Sequence, residues 1–260
     1  MKISFPCPDT TLSLHNHTNF SDGVSTPEEL CLAARKCGIK TLGISDHWVC
    51  VPEGMEPASW SIAADRLDEY FDTLLALKKR FGSDDFTLKL GLEVDFFFEN
   101  ASGVIGDLKK YPIDYLIGSV HYSGSFPIDH DASDWEPLPM EERDRICCEY
   151  WKKLEGAAKL GAYTFLGHPD LPKKFLPVDN SKYIQHAIKV LDALKESDTA
   201  IELNTSGWSK PCKEGYPSPA ILRAARERNI PVVINADAHH ADHLNRDFDR
   251  ASALLREAGY

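Results

Sequence analysis

Seven short apolar runs recur along this 260-residue chain, and helical patterns separate most of them. The runs cover residues 12–14, 41–45, 88–94, 115–121, 163–166, 199–203 and 231–235. Short strands alternating with helical crossovers call for a parallel sheet or a closed barrel. No low-complexity tract or linker divides the pattern, so residues 1–260 are expected to form a single α/β domain, a usual size for a barrel.

The helix signals agree with that frame. Ser25-Thr26-Pro27-Glu28-Glu29 combines a hydroxyl cap, an early proline and acids at the positive dipole end. The helix it starts stops at Gly38. Apolar spacing predicts further helices over 61–80, 140–160, 182–195, 218–229 and 247–258, and a short basic one over 107–110. Residues 49–60 and 122–139 read as loops, the second long enough to suggest function.

Charge and cysteine content narrow the function classes. Lys plus Arg number 29 against 40 Asp plus Glu, a formal net charge of −11. A surface for long nucleic acid needs many phosphate-neutralising cations and is not expected here. The seven cysteines form no Cys-x-x-Cys pair and suggest no disulfide framework. Met1-Lys2-Ile3-Ser4-Phe5-Pro6 lacks an apolar stretch of leader length, and no run approaches the roughly 18 apolar residues of a membrane span. A cytoplasmic protein is the expectation, with its oligomeric state left open.

The chemistry collects at the strand ends. Six of the seven runs carry a metal-type ligand at or just past the carboxyl end: His15 and His17, His47, Glu93, His121, His168, and Asp237 with His239. The sixth run ends instead in Asn204-Thr205-Ser206. In α/β barrels that rim is where catalytic groups gather. Any one of these histidines alone would be as well explained by packing. Six strand ends with the same chemistry point to a polynuclear metal site. Imidazole and carboxylate without thiolate suit zinc, manganese or ferrous iron rather than calcium. So many ligands exceed what one tetrahedral ion takes, so two or three divalent ions are implied. Glu93, between histidine-bearing strands, is placed to bridge two of them. Clustered ions of this kind activate water and clamp a displaced phosphate, so phosphate-ester hydrolysis leads.

The motifs His15-x-His17, Asp22-Gly23, Asp46-His47, Gly91-Leu92-Glu93-Val94-Asp95, Gly118-Ser119-Val120-His121, Gly167-His168-Pro169-Asp170 and Asp237-Ala238-His239 together resemble the polymerase-and-histidinol-phosphatase (PHP) family. Within it, Asp170-Leu171-Pro172-Lys173-Lys174-Phe175 and Glu202-Leu203-Asn204-Thr205-Ser206-Gly207 resemble the histidinol-phosphate phosphatase branch. The resemblance implies a distorted seven-stranded (β/α)7 TIM-like barrel with its metal site at the carboxyl-terminal rim. It implies three sets of ligands: His15, His17, Glu93 and Asp237; Glu93, His121 and His168; Asp22, His47 and His239. It further implies a small phosphorylated substrate, L-histidinol phosphate. In-line attack by a metal-bridging hydroxide is the expected mechanism, with Glu93, Asp22 and His239 as the catalytic set.

Substrate contacts are expected from Lys173, Lys174, Asn204, Ser206 and Lys210, which follow strand-end motifs. The chain has Ser209 where the family's phosphatases often have arginine, which leaves Lys210 to meet phosphate there. Glu53, Asp95 and Asp129 are candidates to pair with a cationic substrate group, and Trp48, Trp135 and Trp208 to stack on an imidazole. Three other readings fit the same ligands: a phosphoesterase for nucleotides or short oligonucleotides, a phosphotyrosine phosphatase, and a noncatalytic metal-binding scaffold.

Overall fold

A computed structural model describes residues 7–175 and 180–260; the amino-terminal residues 1–6 read above for a leader lie outside it. Seven parallel strands pair in chain order. They are β1 (Leu12–Ser13), β2 (Thr41–Ile44), β3 (Thr87–Asp95), β4 (Tyr115–Ser119), β5 (Phe165–Leu166), β6 (Ala200–Asn204) and β7 (Val232–Asn235). After a two-residue break, His47–Trp48 continues β2 along the same edge of β3. The amide of Glu93 is shared there between the carbonyls of Ser45 (3.2 Å) and Asp46 (3.1 Å). That kink re-aims His47 toward the strand ends.

The sheet closes into the expected barrel through a thin seam between β1 and β7. One parallel bridge joins Asn16 and Ala238, with His17 N donating to Ala238 O at 2.9 Å and Ala238 N to His15 O at 3.2 Å. Below it, Leu14 N donates to the Asn235 side chain at 2.7 Å. The seam therefore runs through the histidine pair itself.

Helices cover the outside: α1 (Pro27–Lys36), α2 (Leu67–Phe81), α3 (Ala101–Leu108), α4 (Ala132–Trp135), α5 (Met140–Leu160), α6 (Asn180–Lys195), α7 (Pro219–Glu227) and α8 (Phe248–Glu257). Thr26 and Glu29 form a reciprocal cap at the start of α1. Three expectations need correction. α2 starts six residues later than the spacing suggests, because Ile62 N donates to His47 O (3.0 Å) and Ser61 Oγ accepts from Val49 N (3.0 Å). Those bonds tie the segment to the β2 extension. α3 lies upstream of the basic stretch, where Gly103 and Gly106 weaken the local helix signal. The loop after β4 is not structureless either, since it holds a hairpin (Tyr122–Ser123 with Phe126–Pro127) and the short α4.

Apolar packing falls into two layers. A small cluster fills the barrel: Leu12, Leu14, Tyr115, Ile117, Phe165, Ala200 and Val233. A larger one lies between sheet and helices. Tyr115 is the floor of the barrel, its hydroxyl donating to Leu14 O at 2.5 Å. All seven cysteines are free thiols. Among the described residues no helix is long and apolar enough to cross a membrane.

Candidate metal centre

The nine expected ligands converge at the carboxyl ends of the strands. Groups whose ligand atoms lie within 4.8 Å of one another are His17, Asp22, His47 and His239; His15, His17 and Glu93; His15, His168 and Asp237; and His47, Glu93 and His121. All nine occur in these groups. The partition differs from the expected sets, since His17 also joins the Asp22 group and His168 also lies with His15 and Asp237.

Glu93 is the centre. Its Oε2 lies 2.7 Å from His47 Nδ1, 3.2 Å from His15 Nε2 and 3.5 Å from His17 Nε2. Its Oε1 lies 2.8 Å from His168 Nε2 and 3.6 Å from His121 Nε2. Ser119 Oγ donates to Oε1 at 2.6 Å and steadies it. On the outer side, Asp22 reaches His239 Nε2 at 3.2 Å and His47 Nε2 at 3.6 Å. Gly23 permits this turn, because a side-chain carbon there would sit 2.4 Å from His17 O. The seam delivers Asp237 beside the pair, 3.2 Å from His17 Nε2. His168 and Asp237 both hold left-handed backbones, with φ of 26° and 51°, the kind of local strain that concentrates at functional sites.

Buried partners orient the imidazoles from behind. Glu202 Oε1 lies 2.8 Å from His15 Nδ1, and Asp95 Oδ1 lies 2.6 Å from His121 Nδ1. A carboxylate on one ring nitrogen fixes the tautomer and leaves the other nitrogen's lone pair facing inward. Glu202 also accepts from His168 N (2.7 Å), Asn204 Nδ2 (3.0 Å) and Asn235 Nδ2 (2.9 Å). Sequence reading missed Glu202. The usable signal was an acid inside the apolar run Ile201-Glu202-Leu203, in step with Asn204 on the same strand face.

A test of whether these residues suit a metal comes from their unmatched atoms. His15 Nε2, both nitrogens of His17, His47 Nδ1 and Glu93 Oε2 are buried and have no partner in hydrogen-bond geometry. Orphaned buried polar atoms are costly and rare, and here they all point into one small volume. Borderline imidazole nitrogens and hard carboxylate oxygens in that mixture suit a divalent ion. The field agrees. Burial opposes charge on Glu93 and Asp237, yet the surrounding histidines hold both carboxyls well below their usual range. The His17 imidazole is also lowered, to about 3, through burial and its neighbours His47 and His239, which keeps it neutral.

A cavity of about 730 Å³ opens over the cluster. Lys174, Ser206 and Lys210 line it, as do Asp129 and Arg246. Other expectations are corrected. Lys173 is turned away and buried, its ammonium held by Asp170 (3.0 Å), Glu214 (2.7 Å) and Gly215 O (2.8 Å). Asn204 supports from below, donating to Glu202 and, at 3.2 Å, to Asp237. Asp95 serves His121 rather than the cavity. Trp135 is a buried anchor donating to Ile128 O, and Trp208 carries Arg250 on its face at 4.3 Å. The aromatic wall is instead Trp60, 4.6 Å from the His47 ring and 5.3 Å from His121. It sits at the end of the loop over the strand ends, a position that local pattern does not distinguish.

Seven parallel strands in a closed barrel, with histidines and carboxylates meeting at the carboxyl rim, define a metal-dependent α/β-barrel protein. The family model described as PHP domain matches residues 13–206, and the chain belongs to the PHP family. A Deinococcus radiodurans relative named "Probable histidinol-phosphatase" is 35% identical over 248 residues, covering 94% of this chain and 92% of its own. The Bacillus subtilis "Histidinol-phosphatase" is 27% identical, covering 87% and 92%. The fold is also that of a Lactococcus lactis histidinol phosphate phosphatase solved with zinc, L-histidinol and phosphate. Its TM-score is 0.80 at 22% identity, over 96% of this chain and 94% of that one.

Proposed function

We propose that this chain is a metal-dependent phosphomonoesterase that hydrolyses L-histidinol phosphate to L-histidinol and phosphate, in histidine biosynthesis. We further propose that residues 1–260 act as one domain, in the cytoplasm. The observation that carries the reading is Glu93 within 3.6 Å of five imidazoles. The relatives named for this activity span nearly the whole chain and supply the substrate.

Two or three ions of zinc, manganese or iron fit the donor set. His15, His17, Glu93 and Asp237 would hold one, Glu93, His121 and His168 a second, and Asp22, His47 and His239 a third. When bound, such ions lower the pKa of a water and offset charge on the phosphoryl oxygens. The protein's own part is positioning. Glu93 ties the two inner groups together, and Glu202 and Asp95 hold ring orientation. Asp22 and His239 line the cavity, where they would face the leaving group. Trp60 covers the rings of His47 and His121 and keeps that side of the cluster from water.

The test is a substrate panel on the purified holoenzyme: L-histidinol phosphate, a nucleoside monophosphate, a 3′,5′-bisphosphate and a phosphotyrosine peptide. The first should lead in kcat/KM. A tenfold or greater preference for any other overturns the assignment.

A further inference from the structure

Four basic side chains lie on or beside the cavity wall, and two of them are already matched. Lys173 is held by Asp170 and Glu214, and Lys174 by Asp129 at 3.2 Å. Lys210 and Arg246 line the cavity, yet among the described residues neither forms an ion pair. The Lys210 ammonium makes no hydrogen bond there either. The guanidinium of Arg246 has a single long bond, Nη2 to Ala236 O at 3.4 Å, and its Nε is buried without a partner.

What sets the pair apart is position, for both line the cavity and the Arg246 Nε is buried, in a chain with 40 acids and a net charge of −11. Carboxylates are plentiful, and Arg66, Arg80, Arg145 and Arg228 have each found one. The two unmatched cations are also neighbours. Burial and the charges of Lys174 and Arg246 push the Lys210 amine down, with Asp237 opposing. Like charges held near one another with no carboxylate in direct contact raise the energy of the folded state. An arrangement of that kind is offset when a ligand brings negative charge.

The placement is built rather than accidental. Thr205 Oγ1 donates to Arg246 O at 2.7 Å, and Arg246 N donates to His243 O at 3.1 Å. The arginine is thus tied to the end of β6 while its side chain lies along the end of β7. Lys210 follows the turn Ser206–Ser209, with its own amide on Gly207 O at 3.0 Å. Both cations line the cavity that Asp237 also lines. Trp60, Tyr122 and Pro127 line the cavity too and provide apolar surface.

We infer that Lys210 and Arg246 form a two-cation grip for the substrate's phosphate, Arg246 presenting paired N–H donors to two oxygens and Lys210 a single charge. The assignment rests on the phosphatase reading above and names the group that each part of the cavity receives. The phosphate meets these cations and the metal cluster, and the organic portion meets the aromatic wall. Only a planar guanidinium offers the two-oxygen fit, so lysine is an incomplete replacement at 246.

The test measures binding of inorganic phosphate and of L-histidinol, separately, to the metal-loaded protein by calorimetry, with metal content determined alongside. Arg246→Ala should weaken phosphate at least tenfold and L-histidinol less than twofold, with metal content unchanged. Arg246→Lys should recover part of the phosphate affinity, and Lys210→Ala should show a smaller loss of the same kind. Unchanged phosphate affinity in Arg246→Ala overturns the grip. So does loss of metal together with phosphate, since the arginine would then act through the cluster. If Arg246→Ala does not fold, unchanged phosphate affinity in Arg246→Lys and Lys210→Ala overturns it equally. Arg246-dependent phosphate binding without any L-histidinol binding would uphold the grip and remove histidinol phosphate as substrate.

Discussion

Glu202 Oε1 and His15 Nδ1 lie 2.8 Å apart in a barrel interior where neither side chain reaches solvent. The same carboxylate bonds residues of β6 and β7 and the backbone after β5, so one acid sets the relative position of three strand ends. Glu202→Gln keeps the volume but turns one acceptor into a donor. Whichever way the amide faces, it opposes donors already in place. The expected result is a folded protein with metal affinity about 10–100-fold weaker, the scale of lost outer partners of ligating histidines. Chelator competition checks it, with circular dichroism for the fold. Unchanged affinity would reduce Glu202 to a packing role.

Glu93 should matter more. Glu93→Ala removes the group that approaches five imidazoles and leaves them facing one another. Bound metal should fall by at least one ion per chain, and kcat by about a hundredfold or more, the scale of losing one charge-stabilising group. His15→Ala or His17→Ala should likewise lose an ion while the barrel stays folded. Elemental analysis after gel filtration, with a phosphatase assay, decides the matter. Full metal content and rate in Glu93→Ala would sink the bridging role.

Metal uptake should depend on pH through His121. Burial lowers its imidazole, but the carboxylates of Asp95 and Glu93 outweigh burial and hold it at about 9. Its folded value lies above the ordinary 6.5, so its protonated form stabilises the metal-stripped protein fully below about pH 6.5. That contribution is lost as pH rises through about 9. A metal needs the same nitrogen without its proton. Uptake near pH 7 should therefore expel a proton, and apparent affinity should climb between about pH 7 and 9. Asp95→Asn should flatten that climb. Calorimetry in buffers of different ionisation enthalpy measures the proton count directly.

The barrel floor gives a stability test independent of metal. A methyl at Gly91 would meet the Tyr115 ring at 2.3 Å, and one at Gly43 its hydroxyl at 2.2 Å. Gly91→Ala should cost about 1–3 kcal/mol through overpacking. Denaturant unfolding should show a lower midpoint with an unchanged slope. No loss of stability would mean that Tyr115 is free to move aside.

Much of this molecule was legible in one dimension because two signals are local. Strand and helix periods alternate along the chain, so the parallel barrel followed from patterning. Ligand-type residues sit within a few positions of the strand ends, so eight of the nine that meet at the rim were visible before any contact was known, and the family resemblance supplied Asp22. Groups acting from the next layer carry no such mark. Glu202, Asp95, Trp60 and Arg246 are individually ordinary residues whose meaning depends on what they face. Lys173 shows the reverse error, a cation in a promising motif that folding turns inward onto Asp170 and Glu214.

The sequence by itself determined the barrel class and the placing of its metal-type side chains, since hydrophobic period and strand-end position are properties of the chain alone. Only the tertiary structure decided which nitrogen of each histidine faces inward, which cations stay unmatched and which acids serve as supports. Those depend on distances of a few ångströms between strands far apart in the chain. The thin seam at Asn16 and Ala238 closes the barrel and brings Asp237 beside His15 and His17.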